Sequence, residues 1–444
     1  MSDSRLPDTL GPAVSRSAAR HSGSRAARHG RLRRGRPVLS ILRVVASVAA
    51  VAVVSTASLG AIAAYQVTRD LGPGVALQGE STHRASARPQ APGLAAYSGG
   101  FTMLIVGTDN DPKQGTTFGV RDATLNDVNI LLHVSADHTN ATAVSIPRDL
   151  VVPIPSCPRT DGSGSYAAMS AQPINNAYSY GGLNCVAQTV QALTGMDIPF
   201  AGVISFNGVI EMTNAIGGVP VCVNKPVTDR YTGLNLPAGS TTLQGDQALA
   251  FLRTRHGVGD GSDLGRISSQ QVYLSSMMRT IKSGGVLGDP TKLYKLARAA
   301  ASNMSLSNSL NDLQTMVRIG LALKDIPLAN INFVQYPGTT GGTGVYSGKV
   351  QPVTATAKLL FTALQNDQPF TIPEGSTGIG SESAGAAGAA GATGAAGGAG
   401  AAGSAGSSAT SGGSGSAASS GATQISGLSG QTAADETCSV AYRF

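Results

Sequence analysis

Arginine and aspartate are concentrated in two stretches of a chain whose charged residues make up only 13% of the total. The first stretch contains Arg121, Asp122, Asp127, Arg148 and Asp149. The second contains Arg253, Arg255, Asp263, Arg266 and Gln270. Guanidinium groups bind phosphates through two parallel hydrogen bonds, and aspartates hold the magnesium that accompanies phosphates. This combination predicts a site for a pyrophosphate and its metal.

The metal ligands are expected at the ends of two neighbouring strands. Asp109 follows the first predicted strand, residues 102–106, and Asp127 precedes the second, residues 129–134. Carboxylates at strand ends can share Mg²⁺ with the phosphates of a substrate. We therefore expect Asp109 and Asp127 to bind Mg²⁺.

Which way the side chains of Arg253, Arg255 and Arg266 point depends on the local backbone conformation. Asp263, Arg266 and Gln270 are spaced i, i+3, i+7 and share one stripe of a predicted long helix, where they would line the edge of a cleft. Arg253 and Arg255 face the same side if their segment is extended, so that they can bind one anion together. The alternatives are an Asp–Arg pair on the helix surface and two solvated arginines at the end of a helix.

Arg148 and Asp149 come directly after Pro147, which ends the third predicted strand, residues 142–146. Ligand sites of α/β proteins form at the carboxyl ends of strands. This position favours a role of the pair in a ligand site, and a purely structural Arg–Asp pair is the alternative. Arg121 and Asp122 are candidate substrate-binding residues in an adjacent loop.

The elements that position these residues alternate between strands and helices. Further strands are predicted at residues 219–223 and 331–336, where apolar residues occur in short runs. Helical spacing of apolar residues predicts helices at 186–193, 264–281 and 355–364. The second and third strands are joined as a hairpin. The mixture predicts a three-layer α/β/α sandwich with a mixed central sheet.

Composition divides the chain into five parts. Residues 1–43 carry ten arginines and two aspartates, a net charge of +8, and residues 44–67 contain no charged residue. A helix of this length crosses a hydrocarbon core of about 30 Å, so we predict a single transmembrane helix behind a cytoplasmic basic tail. A cleaved signal peptide is the alternative. Residues 68–98 are predicted to be a linker, 99–372 the folded domain, and 373–444 a disordered Gly-, Ala- and Ser-rich tail with a terminal cysteine.

This topology places the folded domain and all four cysteines outside the cell membrane, where disulfides form. Cys157 follows the strand exit that carries Arg148, and Cys185 opens the next helix. We predict a Cys157–Cys185 disulfide beside the site. The pairing of Cys222 and Cys438 stays open; a bond between them would tie the distal tail to the domain.

Several functions are disfavoured by the sequence. The positive charge belongs to the basic tail, and the remainder is close to neutral, so we expect no nucleic-acid partner. The sequence contains no G-x-S-x-G, no H-E-x-x-H and no G-x-x-x-x-G-K-[ST] motif. These absences argue against α/β-hydrolases, zinc metalloproteases and P-loop kinases.

Ordered sequence blocks between residues 101 and 366 resemble the LytR-CpsA-Psr (LCP) family of cell-wall glycopolymer transferases. The blocks are Leu104-Ile105-Val106-Gly107-Thr108-Asp109, Asn126-Asp127, Ile146-Pro147-Arg148-Asp149, Ile174-Asn175-Asn176-Ala177-Tyr178, Tyr180-Gly181-Gly182, Ala215-Ile216-Gly217-Gly218-Val219-Pro220-Val221, Leu249-Ala250-Phe251-Leu252-Arg253-Thr254-Arg255 and Asp263-Leu264-Gly265-Arg266. The chain departs from the family pattern at three positions. Where it has Asp111 and Ser269, the family often has arginine. Where it has Leu125, the family usually has arginine or asparagine.

The resemblance implies a magnesium-dependent phosphotransferase. It would take a glycopolymer from a polyprenyl-pyrophosphate carrier, attach it to peptidoglycan through a phosphodiester and release polyprenyl phosphate. Asp127 would bind the metal, Arg148, Arg253 and Arg255 would bind the pyrophosphate, and Asp122 or Asp149 would accept a proton. The alternatives are a non-catalytic polyprenyl-phosphate-binding protein, a lipid pyrophosphatase that uses water as acceptor, and a membrane-attached regulator.

Overall fold

The computed structural model describes residues 37–78, 80, 96–110, 124–283, 285–286, 289–385 and 422–442. The helices are α1 Pro37–Asp70, α2 Ala177–Thr194, α3 Phe206–Ile216, α4 Gly245–Arg253, α5 Asp263–Ser283, α6 Pro290–Asn303, α7 Leu313–Lys324 and α8 Thr354–Gln365. The strands before α4 are β1 Phe101–Thr108, β2 Asn126–Val134, β3 Ala141–Ile146, β4 Val151–Ile154, β5 Cys157–Pro158, β6 Ser165–Tyr166, β7 Met169–Pro173, β8 Phe200–Ile204, β9 Val219–Val223, β10 Val227–Asp229, β11 Leu234–Leu236 and β12 Gly239–Leu243. The later strands are β13 Met304–Leu306, β14 Ile331–Gln335, β15 Gly338–Thr339, β16 Gln351–Pro352, β17 Phe370–Thr371, β18 Ser381–Ser383, β19 Thr423–Gln424, β20 Gly430–Thr432 and β21 Thr437–Ser439.

A seven-stranded mixed sheet has the order β13-β8-β1-β2-β3-β14-β20. β8 is parallel to β1 and β14 is parallel to β3, while β2 runs antiparallel to both of its neighbours. The carboxyl ends of β1, β3, β8 and β14 therefore lie at the same edge as the amino end of β2. The predicted strands and the hairpin between β2 and β3 are confirmed.

Alternating side chains along the strands separate two hydrophobic cores. Leu131 and Val144 lie in one core with residues of α2 and α8. Leu132 and Ala143, one position away on the same strands, lie in the other core with residues of α7. Helices thus cover both faces of the sheet, and the mixed α/β architecture expected from the sequence is confirmed.

Helix α5 is buried on more sides than its sequence suggests. It contacts β14 and β20 of the central sheet and also β9 and β21 of a second sheet, whose strand order is β12-β9-β21-β18. Its polar residues form bonds to both neighbours: the Ser269 and Ser439 hydroxyls are 2.6 Å apart, and Gln431 Nε2 donates to the Gln271 carbonyl at 3.1 Å. The second sheet therefore buries polar residues of α5 that an isolated amphipathic helix would expose.

The amino-terminal part contains one long helix. α1 spans Pro37–Asp70. Among the described residues, no helix meets the length and apolarity needed to cross a membrane. The transmembrane helix at residues 44–67 stays a prediction, and residues 1–36 of the basic tail lie outside the described part.

The predicted linker at residues 68–98 contributes to the folded domain at both of its ends. The Val75 amide donates to the Leu306 carbonyl at 2.8 Å, Leu77 is buried, and the Tyr97 ring packs edge-on against Phe200. Residues 79 and 81–95 lie outside the described part.

The prediction that residues 373–444 are disordered is wrong for residues 373–385 and 422–442. β20 extends the central sheet, and β18 and β21 extend the second sheet. The average composition concealed apolar residues, among them Ile425, Leu428 and Val440, that are buried against the domain. The domain therefore continues past residue 372. Residues 386–421, which contain most of the Gly-Ala-Ser sequence, lie outside the described part.

Candidate active site

Asp127 occupies an irregular position at the site edge of the central sheet. Gly107 pairs with Val128 and Thr108 pairs with Asn126, so Asp127 is the extra residue of a β-bulge. Bulges change the direction of a side chain at a sheet edge. Here the Asp127 carboxylate accepts a hydrogen bond from Arg148 Nη1, at the carboxyl end of β3.

Asp263 connects three arginines at the start of α5. Its Oδ2 accepts the Arg148 backbone N–H at 2.9 Å, and its Oδ1 accepts from Arg255 Nη2 at 3.3 Å and from Arg266 Nη2. The Asp263 side chain is only 3% exposed. Arg266 Nη2 also donates to the Asp127 carbonyl at 3.0 Å. These bonds join the bulge of β2, the end of β3 and the start of α5 into one arginine–aspartate cluster.

Asp149 is bordered by cations on more than one side. Its Oδ2 lies 3.6 Å from Arg255 Nη2 and 3.7 Å from Arg148 Nε, and its Oδ1 lies 3.2 Å from Lys349 Nζ. Lys349 was missed by the sequence reasoning, because it stands alone in a glycine-rich segment. Only the bridge between Leu150 and Val350 brings it beside Asp149.

Arg255 lies near two carboxylates and two other guanidiniums. Burial, followed by repulsion from Arg266 and Arg148, lowers the pKa of Arg255 despite Asp263 and Asp149. Burial also acts on Arg148, but Asp127, Asp149 and Asp263 outweigh it and raise the pKa of Arg148. A cation that is desolvated and repelled by its neighbours favours a bound anion. The cluster is therefore suited to hold phosphate oxygens near Arg255.

The two predicted metal ligands lie at the bulge: Asp127 is its extra residue, and Asp109 directly follows Thr108 at the end of β1. Asp109 is 2% exposed, and its Oδ1 accepts the Leu125 N–H at 3.1 Å. The Asp127 carboxylate bonds to Arg148 through Oδ1. In the part of the chain that the structure describes, no group of three or more His, Cys, Asp or Glu residues is arranged to hold a metal. One or two carboxylates, completed by substrate phosphates and water, are a usual donor set for Mg²⁺, and Asp109 and Asp127 fit that role.

The remaining predicted residues divide into three groups. Arg253 ends α4 as a helical residue, and its guanidinium lies 4.3 Å from the centre of the Phe206 ring. The expected extended segment that would aim Arg253 and Arg255 together is wrong, because the helix continues through Arg253. Gln270 is buried and donates to the Leu252 carbonyl at 2.8 Å, which fixes the end of α4. Arg121 and Asp122 lie outside the described residues.

The buried side chain of Asn126, at the start of β2, forms hydrogen bonds to the segment of residues 174–178, which follows β7. Asn126, fully buried, donates from Nδ2 to the Ile174 carbonyl at 3.2 Å and accepts the Tyr178 N–H through Oδ1 at 3.1 Å. The Asn175 N–H donates to the Arg148 carbonyl at 3.1 Å. Asn126, next to Asp127, therefore acts as a positioning residue whose role the sequence blocks did not reveal.

The predicted Cys157–Cys185 disulfide is present and links β5 to α2. A second disulfide joins Cys222 of β9 to Cys438 of β21, which settles the pairing that the sequence left open. No free cysteine occurs in the described residues.

The family model of LytR-CpsA-Psr proteins matches residues 75–363, well over half of the chain. The chain belongs to the LytR-CpsA-Psr family. The arginine–aspartate cluster lies wholly within the matched region, whereas β18, β20 and β21 lie beyond it.

Curated relatives carry cell-wall names. The cell wall biosynthesis protein LcpA of Corynebacterium glutamicum is 29% identical over 281 residues, 57% of this chain and 53% of that protein. The polyisoprenyl-teichoic acid–peptidoglycan teichoic acid transferase TagT of Bacillus subtilis is 27% identical over 244 residues, 54% of this chain and 68% of that protein. The match to LcpA spans about half of the length of that relative.

Among solved structures, a LytR-Csp2A-Psr enzyme from Actinomyces oris aligns with 24% identity and a TM-score of 0.46. The alignment covers 61% of this chain and 95% of that chain.

Proposed function

We propose that the protein transfers a glycopolymer from a polyprenyl-pyrophosphate carrier to a hydroxyl of peptidoglycan, forming a phosphodiester. The observation that carries the proposal is the half-buried Arg255 at the edge of the sheet, whose guanidinium shares the Asp263 carboxylate with Arg266. A pyrophosphate supplies the negative charge that this position lacks. The names of TagT and LcpA, which refer to teichoic acid transfer and to cell-wall biosynthesis, support the same reaction class.

The reaction exchanges the phosphoanhydride bond of the pyrophosphate for a phosphate ester bond to the acceptor. The acceptor oxygen attacks the sugar-linked phosphorus, the bridging P–O bond of the pyrophosphate breaks, and polyprenyl phosphate leaves. Negative charge increases on the leaving phosphate, and stabilising such charge is the main demand in phosphoryl transfer. Arg148, Arg255 and Arg266 would provide that stabilisation, with bidentate contacts that lysine cannot make.

The cofactor we propose is Mg²⁺, bound by Asp109 and Asp127 together with the pyrophosphate. Bound there, it would neutralise phosphate charge and orient the phosphates. The chain's own contribution is the bulge, which directs the Asp127 carboxylate towards Arg148.

Asp149 is the described carboxylate that we assign as the proton acceptor of the attacking hydroxyl. Its side chain is 16% exposed, so an acceptor can reach it, and Lys349 lies beside it. Lys349 would keep Asp149 oriented between turnovers.

A groove beside the cluster is suited to the prenyl chain. It has a volume of about 530 Å³, and its lining includes Val151, Val152, Tyr336 and Phe361. Val151 and Val152 directly follow Asp149 and Leu150, so the groove starts close to the cluster. We propose that the first isoprene units lie here while the pyrophosphate contacts the arginines.

Product analysis of the purified full-length protein tests the proposal. The protein is incubated with a lipid-pyrophosphate-linked glycan, peptidoglycan fragments and Mg²⁺. Transfer yields a glycan–peptidoglycan conjugate and polyprenyl phosphate in equal amounts. Free glycan phosphate without conjugate would instead identify a pyrophosphatase, and lipid binding without turnover would identify a binding protein.

A further inference from the structure

The last described residues of the chain pack behind the arginine–aspartate cluster. We call residues 437–442 the C-terminal strap. The strap lies beyond the region that the family model matches, which ends at residue 363. It includes β21 and the three residues that follow.

The strap pairs with the loop that carries Arg255. Val258 and Ala441 form an antiparallel bridge. The Gly259 N–H donates to the Val440 carbonyl at 2.8 Å, and the Tyr442 N–H donates to the Gly257 carbonyl at 2.9 Å. The strap is thus bonded to the loop at residues two and four positions after Arg255.

The other side of the strap is fixed to the second sheet. Cys438 is bonded to Cys222, and Asn224 both donates its N–H to the Ser439 carbonyl at 3.0 Å and accepts the Ala441 N–H at 2.9 Å. Gly380 completes the attachment: the Val440 N–H donates to the Gly380 carbonyl at 2.9 Å, and Gly380 packs against Gly265 at the start of α5 with no room for a side chain. The backbones therefore touch directly.

Arg255 needs such a restraint for an electrostatic reason. Its guanidinium lies in a cluster with Arg148 and Arg266, and like charges favour movement of the loop towards solvent. At its start, the loop is held by Thr254, whose hydroxyl donates to Asp229 at 2.6 Å. Beyond Arg255, the strap bonds limit the movement of residues 257–259.

We propose that the C-terminal strap is a positioning element that holds Arg255 in the anion site, and that the Cys222–Cys438 disulfide fixes the strap for this purpose. The inference rests on the proposed function, because it assumes that Arg255 binds the pyrophosphate. It extends the functional part of the chain to residue 442. The strap touches no substrate itself and acts through the loop.

The test compares Tyr442→Pro with Tyr442→Ala in the full-length protein. Proline removes the N–H that bonds to Gly257, whereas alanine keeps it and removes only the ring. Binding of farnesyl pyrophosphate is measured by calorimetry on both folded variants. We expect Tyr442→Pro to weaken binding about tenfold relative to Tyr442→Ala, as the loss of one coupled contact would do.

The same pair is then made in an Arg255→Ala background. If the strap acts through Arg255, Tyr442→Pro causes no further loss of affinity there, because the residue it positions is absent. An equal loss in both backgrounds would overturn the positioning role. Unchanged affinity of Arg255→Ala alone would instead refute the pyrophosphate site, and with it the proposed function.

A second variant covers the case in which Tyr442→Pro does not fold. The double substitution Cys222→Ser with Cys438→Ser releases the strap at its other end and enters the same cycle with Arg255→Ala. Loss of affinity that depends on Arg255 supports the proposal. Failure of both variants to fold would overturn it in favour of a purely structural strap.

Discussion

At the scale of residues, the two arginines of the sequence block Arg253-Thr254-Arg255 have different surroundings. Arg255 contacts Asp149 and Asp263 in the cluster, and Arg253 stacks on Phe206. The difference arises because α4 ends at Arg253, and the backbone becomes extended only at Thr254. Their substitutions should therefore have unequal effects.

Arg255→Ala should lower the rate of glycan transfer by about 10²–10³, the range found when a charge-stabilising donor is removed. Arg255→Lys should restore little, because an ammonium group lacks the planar fork. Arg253→Ala should cost less than about tenfold, since it removes a cation–π contact. Steady-state transfer assays measure all three.

Arg159→Ala is the matched control for these changes. Arg159 is exposed, and its guanidinium lies 4.0 Å from the centre of the Tyr166 ring. Transfer by this variant should equal that of the wild type. A larger loss in Arg253→Ala than in Arg255→Ala would contradict the assignment.

Asp127→Asn should raise the concentration of Mg²⁺ needed for half-maximal transfer by at least about tenfold, because a neutral amide is a poorer ligand. A magnesium titration of transfer measures the shift. Asp161→Asn, in an exposed loop where Asp161 bonds to Ser163, should leave the titration unchanged. An identical titration for Asp127→Asn would exclude Asp127 as a ligand.

Sequence reasoning predicted most residues of the cluster but missed Lys349 and the role of Asn126. Asp127, Arg148, Asp149, Arg255, Asp263 and Arg266 were recognisable because charges are scarce in this chain and cluster at predicted strand and helix ends. Lys349 was not predictable, because its position depends on the pairing of two distant segments. Asn126 was recognisable only as part of a sequence block, and its three hydrogen bonds are visible only in the structure.

At the scale of elements, the errors came from contacts between distant segments. Helix α5 was predicted with nearly correct limits, since its apolar spacing is a local signal. The second sheet is formed by residues 219–223, 239–243, 381–383 and 437–439, of which only the first strand was predicted from local patterns. Because that sheet covers α5, buried serines and glutamines occupy positions that an isolated helix would expose.

The two disulfides should differ in how much they stabilise the folded protein. Cys157–Cys185 closes a loop of 28 residues and Cys222–Cys438 one of 216. The chain-entropy model assigns them about 3.5 and about 5 kcal/mol. Replacing both cysteines of the second pair by serine should therefore lower the Tm more than replacing those of the first.

Thermal denaturation followed by circular dichroism, on full-length proteins, measures both Tm values. Each double-serine variant avoids the free thiol that a single substitution would leave. A larger Tm decrease for the Cys157–Cys185 pair would show that native-state packing outweighs loop length here.

At the scale of the whole molecule, the limits of the domain decide which fragments fold. A fragment that ends at residue 372 lacks β20 and exposes the β14 edge, which is prone to pair with other chains. We expect this fragment to aggregate. A chain that ends at Tyr442 keeps every described strand and should remain monodisperse in size-exclusion chromatography.

The topology prediction also applies to the whole chain. If residues 44–67 cross the membrane with the basic tail inside, a reporter enzyme that works only outside the cytoplasm should be active when fused after Ala96. The same reporter fused before Pro37 should be inactive. Activity of the second fusion, or a mature amino terminus near Ala64, would contradict the single-pass anchor.

The position of β20 has a consequence for biosynthesis. Residues 430–432 are synthesised after all the other strands of the central sheet, so β14 has an open edge until translation reaches them. Contacts between distant parts of a chain also form slowly, and open strand edges promote misassembly in that interval. We therefore expect nascent chains stalled before residue 430 to be substrates of quality-control proteases.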